Sequence, residues 1–124
     1  MNKKGFTLVE LLVATYMMLV GISSIMLVFV NTMSSTRSAW DITEASSHAE
    51  SILEEMQNRE SLPDILVTDW DHWAEKNNLK TLPQERFEVT FTDPTSNPLE
   101  IQVVDKWERT TAANNIVLRT LLTK

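Results

Sequence analysis

The 124-residue chain has no cysteine, only two glycines, four prolines and two histidines. The absence of cysteine excludes disulfide bonds and thiolate metal ligands. A transition-metal site would have to use the histidines together with carboxylates. We therefore expect a fold that depends on packing alone.

Basic residues are also few. Eleven lysines and arginines face seventeen aspartates and glutamates, which gives a net charge of −6. An acidic surface disfavours nucleic acid and anionic lipid as partners. Three of the four tryptophans, Trp70, Trp73 and Trp107, have acidic neighbours and are expected to be core or near-core. Trp40 is expected at a membrane boundary or in a filament seam.

No set of residues predicts catalysis. His48 is most simply a solvated helix residue, and the serines and threonines have no base at a recognisable spacing. Asp69, Asp71 and His72 could be drawn as a metal cluster, but they are typical of a helix start and lack calcium-loop spacing. The sequence predicts no catalytic residue, no metal and no cofactor, and the protein is not expected to be an enzyme.

The most informative stretch is 6–30, twenty-five residues with Glu10 as the one charge. As a helix it would be about 37 Å long, enough to cross a hydrocarbon core of about 30 Å. A secretory signal would have a shorter apolar run closed by an A-x-A-like site. Lys3 and Lys4 precede the stretch, and the first later charge is Arg37, so the N-terminus is expected in the cytoplasm and the rest outside.

The sequence GFTLVE at Gly5–Glu10, after a short basic leader, resembles the signal of type IV prepilins and type II secretion pseudopilins. The resemblance implies cleavage between Gly5 and Phe6 by a prepilin peptidase and N-methylation of Phe6. Glu10 would be the carboxylate that pairs with a neighbouring N-terminus during assembly. The simpler alternative is that Glu10 lies near the interface, at the positive end of the helix dipole.

The apolar segment is expected to continue as one helix, because 31–62 contain neither proline nor glycine. An apolar stripe recurs at helical spacing in its second half, at Ile42, Ala45, Ala49, Ile52 or Leu53, and Met56. The predicted organisation is a leader at 1–5, a membrane or filament-core helix at 6–30, an amphipathic helix at 31–60 and a small globular domain at 61–124.

The globular part is predicted to hold a short helix and an antiparallel sheet. Thr68 or Asp69 could cap a helix that runs to about Leu79. Alternating residues predict one strand from Arg86 to about Phe91, a second one from Leu99 to Trp107, interrupted by Asp105, and a third one around Ile116, Leu118 and Leu122 after a turn at 110–115. The fold class is therefore α+β, a long N-terminal helix on a sheet of three or four strands.

Two further segments resemble minor pilins of the PilV kind and I-type pseudopilins: WAEKNNLKTLP at 73–83 and IQVVDKWERT at 101–110. The second is one residue longer than the family pattern, so a bulge near Val104 or Asp105 is expected.

These features predict a minor pilin or minor pseudopilin at or near a filament tip, where it helps initiate assembly. Its expected partners are other minor pilins or pseudopilins, the major pilin, the prepilin peptidase and the inner-membrane assembly platform. The alternative is an uncleaved single-span membrane protein whose exterior domain binds or scaffolds.

Overall fold

A computed structural model describes residues 5–109 and 112–123. The elements are α1 (Leu8–Asn58), α2 (Leu62–Val67), α3 (Trp70–Lys76), β1 (Arg86–Phe91), β2 (Leu99–Arg109) and β3 (Ala112–Leu122). The chain divides into two compact units, Met1–Ala39 and Trp40–Lys124. A long N-terminal helix and a three-stranded antiparallel sheet confirm the α+β class.

In the first unit, α1 exposes every described side chain, including the whole apolar series from Leu8 to Val30. The hydroxyl groups of this region donate to carbonyl oxygens of the preceding turn: Ser23 to Leu19 O and Ser24 to Val20 O, both at 2.8 Å. Such back-bonding satisfies polar groups where water is absent. Among the described parts of the chain, α1 is the one helix long and apolar enough to span a membrane.

In the second unit, the end of α1 buries one face. Its buried residues recur every three or four positions: Asp41, Ala45, His48, Ala49, Ile52 and Met56. The predicted stripe is confirmed at its alanines, Ile52 and Met56. It is wrong at Ile42, which is 48% exposed. Asp41, one turn before Ala45, is buried instead, because an ion pair to Arg109 satisfies its charge.

Two short helices follow. Asp69 is the N-cap of α3, and its Oδ1 accepts the His72 N–H at 3.1 Å, as predicted for this residue type. The helix ends at Lys76, earlier than the expected Leu79. The preceding helix α2, with proline in its first turn, was not predicted, because six residues show no periodicity.

The sheet has the order β1-β2-β3 with antiparallel neighbours. Its register is unbroken: Phe87 pairs with Asp105, and Asp105 pairs with Ile116. The expected bulge at Val104 or Asp105 is therefore absent from β2. The third strand starts at Ala112, before the expected Ile116; of the predicted turn, Thr110 and Thr111 lie outside the described residues.

The core lies between the end of α1, the short helices and one face of the sheet. Its largest cluster of buried side chains contains Ala49, Ile52, Met56, Ile65, Trp70, Ala74, Phe87, Leu99, Ile101, Val103 and Leu122. A smaller cluster holds Ala45, Leu82 and Trp107. Burial of these apolar side chains is the main favourable contribution to folding in a chain that has no disulfide.

Candidate functional site

The start of α1 carries the residues that the sequence singled out. Thr7 Oγ1 accepts the Glu10 N–H at 3.3 Å, and Glu10 Oε2 accepts the Thr7 N–H at 3.0 Å. This reciprocal arrangement is a capping box, which satisfies two N–H groups that a helix start otherwise leaves unpaired. The Thr7 hydroxyl also donates to the same Oε2 at 3.0 Å. Glu10 thus has a helix-capping contact within its own chain.

Gly5 and Phe6 lie just before the helix, and both are exposed. A methyl group in place of the Gly5 hydrogen would meet no atom of residues 5–109 or 112–123 within 4 Å, and the residue has no left-handed backbone conformation. Neither space nor backbone geometry therefore requires glycine at position 5.

A second set of polar residues is buried in the Trp40–Lys124 unit. His48 Nδ1 lies 2.7 Å from Glu85 Oε1, and ligand-type atoms of His48, Glu85 and Asp105 all lie within 4.8 Å of one another. All three residues are buried, and Asp105 is 0% exposed. Within the described ranges 5–109 and 112–123, they are the one group of three that could hold a metal ion.

Asp105 is the least satisfied member of this group. No donor among the described residues forms a hydrogen bond with either of its carboxyl oxygens. Burial and repulsion from the Glu85 carboxylate raise the pKa of Asp105 to about 8. At neutral pH, and without a bound cation, the Asp105 carboxyl group is therefore mostly protonated.

Local structure explains how each member is positioned. His48 lies one turn from Ala45 and Ile52 on the buried stripe of α1. Glu85 directly precedes β1, and its Oε2 accepts the Leu82 N–H at 2.7 Å, which orients the carboxylate. The alternation of β2 places Asp105 on the inward face with Val103 and Trp107.

Asp69, Asp71 and His72, which the sequence analysis considered as a metal cluster, do not form a set of metal ligands. Asp69 caps α3, and His72 is exposed. Asp71 Oδ1 lies 2.8 Å from Lys80 Nζ and accepts the Phe87 N–H at 2.9 Å. Partial burial raises the pKa of Asp71, but these contacts outweigh it and hold the pKa below 3.8.

The tryptophans follow the prediction in part. Trp70 and Trp107 are buried, whereas Trp73 is half-buried and packs against the core. The rings of Trp70 and Trp73 make an edge-on contact with centroids 5.8 Å apart. Trp40 is 71% exposed, which leaves both of its proposed roles open to test.

Comparison of the chain with protein-family models, with curated proteins and with solved structures finds no match.

The sequence reading of the histidines was wrong at His48, which is buried and hydrogen-bonded to Glu85. Glu85 carried no recognisable signal, because it lies outside any periodic segment. Asp105 did carry one: an acidic residue stands at an inward position of an apolar strand. A buried acid must be neutral, paired or metal-bound, so this position could have directed a search for partners.

Proposed function

We propose that the chain is a minor subunit of a type IV pilus or of a type II secretion pseudopilus. It is cleaved after Gly5, anchored in the inner membrane by 6–30 with its N-terminus on the cytoplasmic side, and incorporated at or near the filament tip. The observation that carries the proposal is the sequence KKGFTLVE at the start of an apolar helix whose side chains are exposed throughout.

The glycine supports processing by a peptidase. Since no steric or backbone feature of the described residues requires glycine at position 5, its presence there is better explained by recognition of the leader than by folding. A substitution at this site therefore tests cleavage without disturbing the helix.

Assembly on this proposal is a matter of packing and charge. Exposed apolar surface on the first unit is buried against lipid before assembly and against neighbouring subunits afterwards. Cleavage creates a positive α-amino group at Phe6, and Glu10 of an adjacent subunit pairs with it in a medium of low dielectric constant. The exterior α+β domain contacts other minor pilins and the major pilin.

The alternative is an uncleaved single-span protein whose exterior domain scaffolds another complex. The capping box favours it, because Thr7 gives Glu10 a role in a chain with no neighbour. The two functions differ in the mature N-terminus.

The deciding experiment is intact-mass measurement and N-terminal peptide mapping of protein from native membranes and from sheared filaments. We expect a chain that starts at methylated Phe6 in both fractions. The Gly5→Glu variant should retain residues 1–5 and remain in the membrane. A full-length wild-type chain in a host with active prepilin peptidase would overturn the proposal and favour the single-span alternative.

A further inference from the structure

We propose that His48, Glu85 and Asp105 form a binding site for one divalent transition-metal ion in the exterior domain. The site goes beyond the proposed function and does not depend on it, since cleavage and assembly concern the other end of the chain.

Geometry gives the first argument. One potential ligand atom from each residue lies within 4.8 Å of the other two, and His48 Nδ1 lies 2.7 Å from Glu85 Oε1. Ligands about 2.1 Å from a tetrahedral ion are about 3.4 Å apart. The 2.7 Å distance between His48 and Glu85 is shorter than this ligand–ligand spacing, and the 4.8 Å limit for the three atoms is longer. Side-chain rotation would therefore bring all three atoms to one ion.

Charge gives the second argument. Asp105 is fully buried, neither of its carboxyl oxygens has a hydrogen-bond partner among the residues that the structure describes, and it lies beside the carboxyl group of Glu85. In the described parts of the chain, no lysine or arginine forms an ion pair with Glu85 or Asp105. Two buried carboxyl groups without a lysine or arginine partner form a site where a bound cation would replace the proton and pair with both carboxylates.

The donor set indicates the class of ion. One imidazole nitrogen with two carboxylate oxygens suits Zn²⁺ and similar transition metals, whereas Ca²⁺ and Mg²⁺ prefer oxygen ligands alone. The Leu82 N–H donates a hydrogen bond to Oε2 of Glu85, and Oε1 of the same carboxylate faces His48. Such contacts beyond the ligands fix their orientation around a metal.

A metal here would join three separate parts of the exterior domain. His48 comes from the end of α1, Glu85 from the turn before β1, and Asp105 from the middle of β2. Three protein ligands leave the remaining coordination positions to water or to another small donor. The ion would therefore act as a cross-link, in a chain that cannot form a disulfide.

The test uses the full chain without a histidine tag, purified in detergent, treated with chelator and titrated with Zn²⁺ by calorimetry. We expect one ion per chain. His48→Gln should weaken binding by more than about tenfold, the lower end of what is lost even when a residue behind a ligand is changed. His72→Gln is the matched control, because the only other histidine is exposed, and it should bind as the wild type does.

Thermal unfolding gives a second readout. Zn²⁺ at about 100 times its dissociation constant should raise the Tm by on the order of 10 °C in wild type and in His72→Gln. Asp105→Asn keeps the size of the side chain and should lose this shift. Near-UV circular dichroism of buried Trp70 and Trp107 checks that each variant is folded.

Two results would overturn the proposal. One is the absence of stoichiometric Zn²⁺ binding at micromolar concentration to folded wild-type protein, which would leave a pair of carboxyl groups that share a proton. The other is equal affinity in wild type, His48→Gln and Asp105→Asn. If His48→Gln does not fold, the Zn²⁺ affinities of Asp105→Asn and Glu85→Gln test the proposal in its place, and affinities equal to that of the wild type would overturn it.

Discussion

Arg109 at the end of β2 forms an ion pair with Asp41 on α1, sixty-eight residues earlier. Arg109 Nη2 donates to Asp41 Oδ1 at 2.9 Å, and Nε lies 2.8 Å from Oδ2. The Asp41 side chain is only 10% exposed and that of Arg109 is 30% exposed. The pair joins the first buried turn of the helix to the far end of the central strand, so its loss should loosen the Trp40–Lys124 unit.

We predict that Arg109→Gln lowers the free energy of unfolding of the Trp40–Lys124 unit by about 1–3 kcal/mol, because it leaves the nearly buried Asp41 carboxylate without its cation. Urea denaturation of the full chain in detergent, followed by tryptophan fluorescence, measures this change.

Lys106→Gln is the matched control for Arg109→Gln. Lys106 pairs with Glu88 on neighbouring strands, but both side chains are more than half exposed. Exposed ion pairs contribute about 0.2–1 kcal/mol. Equal losses in the two variants would show that burial does not distinguish the two pairs.

Asp71 should stabilise the protein in a pH-dependent manner. Its pKa is lowered in the folded state, so its contribution is present above about pH 4 and is lost as the pH falls through the folded-state value. Asp71→Asn keeps an acceptor for the Phe87 N–H but removes the charge that attracts Lys80. We expect a loss of about 1 kcal/mol at pH 7 and almost none near pH 2, measured by thermal unfolding at each pH.

Asp71→Ala separates the two contacts of this side chain. It also removes the acceptor, and so leaves the Phe87 N–H on the outer edge of β1 without its partner. This variant should be less stable than Asp71→Asn at every pH. The same stability for both would mean that the hydrogen bond to Phe87 contributes nothing.

Asp105 should have the opposite pH dependence in the metal-free protein. Its pKa is raised from 3.8 to about 8, so the folded state binds a proton that the unfolded state has released between these values. Stability attributable to this group therefore falls as the pH rises from about 4 to 8, by at most about 1.4 kcal/mol per pH unit. Unfolding at a series of pH values should show that slope in wild type and its loss in Asp105→Asn. An unchanged slope in the variant would contradict the assignment to Asp105.

Glu10 has two candidate roles that paired variants can separate. Glu10→Gln retains a side chain that can form a capping box but removes the negative charge. Thr7→Val removes the capping hydroxyl and keeps the charge. If the charge pairs with a neighbouring Phe6 amino group, Glu10→Gln should be cleaved and reach the membrane, yet enter sheared filaments at least tenfold less than wild type. Thr7→Val should enter them almost normally, at a cost of about 1 kcal/mol in helix capping.

The reverse result would favour capping over charge pairing. In that case Thr7→Val would be lost from filaments while Glu10→Gln is retained. Quantitative immunoblots of membrane and filament fractions from the same cells distinguish the two outcomes, with Gly5→Glu as the uncleaved reference.

Much of the architecture could be predicted from the sequence, because it follows from local periodicity. Each useful pattern lies within a single helix or strand and indicates which of its faces is buried. Examples are the apolar run of 6–30, the absence of helix breakers after it, and the alternation around Phe87 and Ile101. The Asp69 cap and the three-stranded sheet followed from the same kind of signal. The motif from Gly5 to Glu10 is likewise local, and its resemblance to a prepilin leader predicts processing from the sequence alone.

Only the tertiary structure decided which polar residues meet. His48, Glu85 and Asp105 are separated by thirty-seven and twenty residues, and Asp41 and Arg109 by sixty-eight. From the sequence, His48 had been predicted to be a solvated helix residue. Burial of a charged group depends on whether a partner from another element reaches it, and the spacing of residues along one helix or strand carries no information about that partner.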